Sequence, residues 1–227
     1  EPTACAVHAV VGARVDPAHT VAVLGAGTLG LCTVAAMEHL AQPGQLLVGA
    51  RYAHQRRLAE ELGADVVVDP GQLVRAVRRS SRSLEASRTL TSGADVVIDC
   101  VGSDESLAQA LSMVRPRGRV VLVGMPGRVT VDLASLWHRE VAMAGAYAYG
   151  TEELNGSSRR TFDVALEVVA AKGLGRLVSA RYPIDRFEEA LAHAGAAGRR
   201  GAVKVVFDLR ARDRHRGTSP STKGPVP

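Results

Sequence analysis

The segment Gly25-Ala26-Gly27-Thr28-Leu29-Gly30 carries three glycines in the spacing GxGxxG. It follows an apolar run at residues 20–24 and opens an apolar-periodic stretch at residues 29–40. Strand, glycine turn and helix in that order restrict the fold sharply, because they form the first βα turn of a dinucleotide-binding sheet. In such a turn Gly25 permits the tight reversal, Gly27 lets the backbone approach a pyrophosphate, and Gly30 lets helix lie close on strand. The helix start at Thr28 and Leu29 then presents amide N–H groups to phosphate. A glycine-rich turn needed only for packing is the plain alternative.

The rest of the chain agrees with a doubly wound α/β architecture. Short Val-rich runs at residues 20–24, 45–48, 65–68, 95–100 and 119–123 read as buried strands. Between them, residues 29–40, 54–62, 72–90 (in broken form) and 105–114 read as helices, most of them ending at Gly or Pro. Strand and helix alternate with short connections, which gives βαβ units and one parallel sheet covered on both faces. The run Gly63-Ala64-Asp65-Val66-Val67-Val68-Asp69 is nearly repeated as Gly93-Ala94-Asp95-Val96-Val97-Ile98-Asp99. We read this echo as two buried parallel strands converging on similar residues, not as a duplicated functional unit.

After Gly150 the pattern changes. Residues 150–160 read as a loop, 160–172 as an amphipathic helix, 177–182 as extended, 185–193 as a helix capped by Asp185 after Pro183, and 202–207 as a last strand. The expected domains are therefore a dinucleotide-binding Rossmann domain with a leading helix (1–150), a partial C-terminal accessory lobe (151–208) and a disordered tail (209–227).

Composition narrows the function classes. Aromatic residues make up only 4% of the chain, so the core is built from small and branched side chains, as suits a covered parallel sheet. No apolar stretch approaches the roughly 18 residues of a membrane helix, so no membrane partner is expected. The net charge of +5 raises the question of nucleic acid, but the arginines are dispersed and no aromatics interleave with them for base stacking; no nucleic-acid partner is expected. Cys5, Cys32 and Cys100 form no CxxC pair, which fits a reducing, cytoplasmic setting. The chain starts with Glu1, so its first residue either was exposed by processing or belongs to a longer chain.

About 20 residues beyond the glycine motif, an NAD-preferring site places a carboxylate on the ribose 2′-hydroxyl. Here that neighbourhood reads Val48-Gly49-Ala50-Arg51-Tyr52. Ala50 leaves the carboxylate out and Arg51 supplies a cation for a 2′-phosphate, which favours NADP over NAD while leaving NAD possible. The bland reading of Arg51 is a solvated surface charge.

Taken together, Glu1-Pro2, the glycine motif, Leu62-Gly63-Ala64-Asp65, Asp99-Cys100-Val101-Gly102, Gly118-Arg119-Val120-Val121 and residues 201–206 follow a known order and spacing. From residue 1 to about 208 the chain resembles the zinc-dependent medium-chain dehydrogenase/reductases, closest to the polyol and threonine dehydrogenase branch. The resemblance implies that Cys100, Val101 and Ser103 cover the cofactor riboses. It also implies that Val123, Gly124 and Met125 present backbone groups to the nicotinamide carboxamide, that Ala146 and Ala148 complete that site, and that Lys204 lies near the pyrophosphate. Glu1 would stand where relatives supply a ligand to a catalytic zinc; a frayed terminal charge is the alternative.

The resemblance further implies an upstream lobe, with a Cys ligand, a Gly-His-Glu segment and a proton relay, that has no counterpart in these residues. None of His8, His19, His39, His54, His138, His193 or His215 shows ligand spacing, so no catalytic residue is assigned and these 227 residues alone are expected to bind nucleotide without efficient catalysis. The expected function is the cofactor-binding region of a zinc-dependent alcohol or polyol dehydrogenase, acting on a small alcohol or carbonyl substrate and compatible with a homo-oligomer. A zinc-free quinone or enoyl reductase of the same superfamily and a non-catalytic nucleotide-binding module are the other readings.

Overall fold

The computed structural model describes residues 1–86, 89–154 and 156–210. The chain opens with helix α1 (Pro2–Ala13), started by Pro2 in its first turn and closed by Arg14 in the left-handed region. It then alternates through β1 (Thr20–Leu24), α2 (Thr28–Leu40), β2 (Gln45–Gly49), α3 (Ala53–Glu61), β3 (Val66–Val68) and α4 (Leu73–Ser80). A short hairpin, β4 (Glu85–Ala86) and β5 (Thr89–Leu90), leads to β6 (Ala94–Asp99), α5 (Asp104–Met113), β7 (Val114–Leu122), α6 (Ala134–His138) and β8 (Ala142–Gly145). A second hairpin, β9 (Thr151–Leu154) and β10 (Ser157–Arg160), precedes α7 (Thr161–Lys172), β11 (Val178–Tyr182), α8 (Phe187–Gly195) and β12 (Lys204–Phe207).

Six strands pair in parallel in the order β3-β2-β1-β6-β7-β8. The chain winds outward from β1 through β2 and β3, then returns to the other side of β1 with β6. The strand order thus reverses between β1 and β6, where open α/β sheets bind ligands at the strands' C-terminal ends. The expected doubly wound parallel sheet is what the chain forms. Its core is aliphatic and small: Ala22, Leu24, Leu47, Val97, Ala110, Met113 and Val120 are buried together.

The echoed heptapeptide has a physical explanation. Gly63 and Gly93 both hold a positive φ at the strand entry. Asp65 then accepts the amide of Leu46 at 2.7 Å, and Asp95 that of Thr20 at 2.8 Å, so each carboxylate takes an amide near the start of the neighbouring strand. The second aspartates close the strands, with Asp69 accepting from Gly71 N and Asp99 from Val101 N. The same sheet geometry recurs twice and selects the same residues.

Four expectations differ from the structure. Residues 72–90 are helical only through Ser80. Beyond it Ser83 and Thr91 side chains take over backbone partners, with Leu84 N donating to Thr91 Oγ1 and Ser92 N to Ser83 Oγ, and a hairpin replaces the helix. Residues 150–160 form the β9–β10 hairpin rather than an open loop. Thr161 closes its base by donating its amide to Gly150 O and accepting Gly150 N on its hydroxyl, and Gly156 turns the chain at φ +76°. The strand expected at residues 119–123 starts earlier, at Val114, with a register irregularity opposite Ala94–Val96. The helix expected at 185–193 begins at Phe187, because Ile184–Arg186 forms a 3-10 turn and Arg186, not Asp185, is its capping residue.

Contacts divide the chain into two compact units, Glu1–Arg176 and the residues from Leu177 on. The change of pattern read at Gly150 therefore lies inside the first unit. Helix α7 packs there against α1 and α2, with Val164 and Val168 fully buried. His8 Nδ1 also lies 2.7 Å from the buried Glu152 Oε1, which accepts the Thr161 hydroxyl at 2.9 Å. In the second unit β11 and β12 pair in parallel beside α8, and the Tyr182 hydroxyl meets His193 Nδ1 at 3.0 Å. Of the tail expected to be disordered, residues 211–227 lie outside the described residues; Arg210 donates to Asp208.

A chain ending after Arg176 is expected to unfold cooperatively in urea, followed by circular dichroism. One ending after Gly150 strips α7 from α1 and α2 and is expected to lose that cooperativity; equal transitions in both would place the boundary at Gly150.

Candidate functional site

The three motif glycines serve three different purposes. Gly25 turns the chain at φ +88°, with Val101 Cγ2 standing 2.6 Å from where its Cβ would be. Nothing lies within 4 Å of a Cβ built on Gly27, which faces a cleft. A Cβ on Gly30 would stand 1.9 Å from the Gly25 carbonyl oxygen, so only glycine lets α2 approach β1 this closely. Gly27 is the N-cap of α2 and Thr28 and Leu29 are its first helical residues, which directs the positive end of that helix at the turn.

The cleft, about 600 Å³, opens at the ends of β1, β2 and β6. Gly25, Gly27, Arg51, Val101 and Ser103 line it together with residues that sequence reasoning did not select: Tyr52, Gln55, Pro70, Glu105, Ser106 and Gln109. Ala50 is buried beneath the wall rather than on it. Arg56 donates to the carbonyls of both Ala50 and Arg51 at 2.9 Å, which fixes the loop that carries Arg51. Arg51 itself is exposed and makes no ion pair among the described residues. Across the cleft, the Ser103 hydroxyl and its own backbone amide hold the Glu105 carboxyl below the ordinary carboxylate range. The cleft therefore has a cationic side after β2 and an anionic one at the start of α5.

A second cleft, about 470 Å³ and more apolar, gathers Glu1, Leu29, Val123, Gly124, Met125, Ala146 and Ala148, with Cys5 and Tyr147 as unforeseen members. Glu1 and Cys5 are one helical turn apart, and the Cys5 thiol donates to Glu1 Oε1 at 3.2 Å; that i, i+4 spacing was the available signal. Burial, reinforced by Glu1, pushes the Cys5 thiol up to about 11. Cys100 lies behind Gly30 rather than on either wall, and burial raises its thiol to about 12. Lys204 opens β12 in the second unit, paired in register with Val178.

A zinc centre of the kind that polarises an alcohol oxygen needs about three protein ligands. Among the described residues no group of three His, Cys, Asp or Glu side chains is arranged to hold a metal ion. Glu1 offers one carboxylate, so the residues present do not by themselves make that centre.

A parallel sheet with a glycine turn at its switch point and clefts on either side of β6's end defines a dinucleotide-binding fold. Residues 28–163 match the zinc-binding dehydrogenase family, and the chain belongs to it. It is 28% identical over 214 residues to L-idonate 5-dehydrogenase of Vitis vinifera and 30% identical over 212 residues to sorbitol dehydrogenase of Arabidopsis thaliana, in each case covering 92% of this chain and 55% of the relative. A zinc-binding dehydrogenase of Sinorhizobium meliloti, solved bound to NADP, superposes with a TM-score of 0.69 at 29% identity, covering 92% of this chain and 58% of that one. L-idonate 5-dehydrogenase of Escherichia coli gives a TM-score of 0.71 at 26% identity, covering 91% and 55%. The chain thus spans about half the length of the curated relatives it matches. Among the described residues no helix is long and apolar enough to cross a membrane.

Two outcomes follow from this geometry. Gly30→Ala drives a methyl group into the Gly25 carbonyl, and denaturant melts are expected to show a loss of about 1–3 kcal/mol. With thiols held at about 11 and about 12, Cys5 and Cys100 remain protonated at pH 8. Iodoacetamide labelling read by mass spectrometry is expected to run about a hundredfold slower at Cys5 and about a thousandfold slower at Cys100 than for an ordinary cysteine, rising with pH toward 11 at Cys5.

Proposed function

We propose that the chain is the cofactor-binding region of an NADP-preferring alcohol or polyol dehydrogenase. The observation that carries the reading is the end of β2, where Ala50 stands in place of a carboxylate and Arg51, beside it on the cleft wall, makes no ion pair among the described residues and sits on a loop pinned by Arg56. A 2′-phosphate fits such a position, and a carboxylate there would repel it. The Sinorhizobium relative with bound NADP supports the same preference.

On this reading Gly25, Gly27 and the first turn of α2 hold the pyrophosphate. Val101 and Ser103 contact the adenosine side, and Val123, Gly124, Met125, Ala146 and Ala148 surround the nicotinamide in the second cleft. The bound cofactor supplies or accepts hydride. The chain's own residues orient it and, through the apolar walls of the second cleft, keep water from the ring.

The substrate class we infer from the sorbitol and idonate dehydrogenase relatives is a small secondary alcohol or its carbonyl partner. Zinc belongs to this reading only as a centre completed beyond the described residues, with Glu1 contributing one ligand. The free thiols fit a reducing cytoplasm. The exposed edge strand β8, which carries the exposed Met143, supports pairing of two copies.

Titration of NADPH and NADH by nucleotide fluorescence tests the reading, with NADPH expected to bind more tightly. Arg51→Asp is expected to weaken NADPH by about 10–100-fold while leaving NADH nearly unchanged, the range of a lost charge-assisted contact. An unaltered ratio would remove Arg51 from the site and the NADP preference with it.

A further inference from the structure

Asp99 is fully buried, yet makes no ion pair among the described residues. A carboxylate in that position is stable only when hydrogen bonds replace its water. Its Oδ1 accepts the amides of Val101 at 2.8 Å and Gly102 at 3.1 Å, and its Oδ2 accepts the Ser106 hydroxyl at 2.7 Å. Its main-chain carbonyl accepts the amides of Val123 and Gly124, both at 2.9 Å. One residue therefore bonds the turn that lines the first cleft, the helix behind it and the strand end that lines the second.

The surroundings leave that turn little freedom. Val101 Cγ2 fills the space beside Gly25, and a Cβ on Gly124 would stand 2.6 Å from both N and C of Val101. Gly102, at φ +78°, lies in turn against Gly124 and Pro126. Three glycine segments are thus stacked in backbone contact, and the Asp99 side chain supplies the polar tie that sets the middle one. Asp69, its counterpart in the echoed heptapeptide, accepts a single amide at an exposed turn; the burial and the extra bonds are peculiar to Asp99.

We propose that Asp99 is a positioning residue for the dinucleotide. Its carboxylate preorganises residues 101–103 so that the adenosine-side and nicotinamide-side clefts keep one fixed relation before any ligand arrives. The inference rests on the dinucleotide reading above and adds to it a residue that touches no ligand.

Two probes separate the clefts: adenosine 2′,5′-bisphosphate for the first, and the emission enhancement of reduced nicotinamide mononucleotide for the second. Asp99→Ala is expected to weaken both by about tenfold or more, since two amides lose their acceptor. Asp99→Asn keeps an oxygen for those amides and is expected to restore both to within about threefold, whereas Ser106→Ala is expected to weaken the bisphosphate alone. Hydrogen exchange on the unaltered free chain is expected to show the Val101 and Gly102 amides already protected, a reading that stands even if Asp99→Ala does not fold. Unprotected amides there, or a folded Asp99→Ala that binds both probes normally, would overturn the assignment. If the unaltered chain binds neither probe, the dinucleotide reading itself falls and this inference with it.

Discussion

The approach of α2 to β1 through Gly30 and Gly25 is the constraint on which the rest of the structure depends. With a Cβ on residue 30 placed 1.9 Å from the Gly25 carbonyl, any other residue would push the helix off the strand. That contact sets where the helix N-terminus points, and hence where a phosphate is received. It also sets the depth at which Val101 can lie over Gly25, and through Val101 the position of Gly124 just beyond the end of β7. A local packing rule between two glycines in this way spreads across three strand ends.

Hydrogen bonding to aspartate carries the same order along the sheet. Parallel strands have no hairpins to fix their register, so each entry needs another device. Asp65 and Asp95 provide it by accepting amides from neighbouring strands, and Arg115 completes the second by donating to Asp95 at 2.6 Å. The resemblance between the two heptapeptides is therefore a trace of register control. Asp99 departs from its counterpart because its strand ends at the switch point, where the turn is covered on both sides.

The sheet was legible because its strands are continuous Val-rich runs and its helices have clear periods and ends. The glycine motif was legible because strand, turn and helix adjoin in sequence. The two hairpins were not: β4 and β5 are two residues each, too short for alternation, and β9–β10 carries polar residues on an exposed ribbon. The Asn155-Gly156 pair was a hairpin signal that the surrounding polarity obscured. At the site, Gly25, Gly27, Arg51, Val101 and Ser103 share one cleft, but Gln55, Pro70 and Gln109 join them only because β2 and β6 flank β1. Such convergence is a property of strand order and has no local signature. Cys5 stood one turn from Glu1, and that spacing was readable.

Charge in the first cleft is distributed by position rather than by total. Glu105 lies in the first turn of α5, where the helix dipole and the Ser103 hydroxyl favour its ionised form. Arg51 lies beyond β2, which pairs with β1 on the side away from β6. The intervening β1 turn keeps the two groups on separate walls, and Arg56 spends its guanidinium donors on carbonyls of the Arg51 loop instead of competing for an anion. A ligand spanning this cleft meets a cation at one end and a carboxylate at the other. A phosphate is drawn to the Arg51 wall and repelled from the Glu105 wall, so polarity along the cleft selects direction before the second cleft selects what the other end carries.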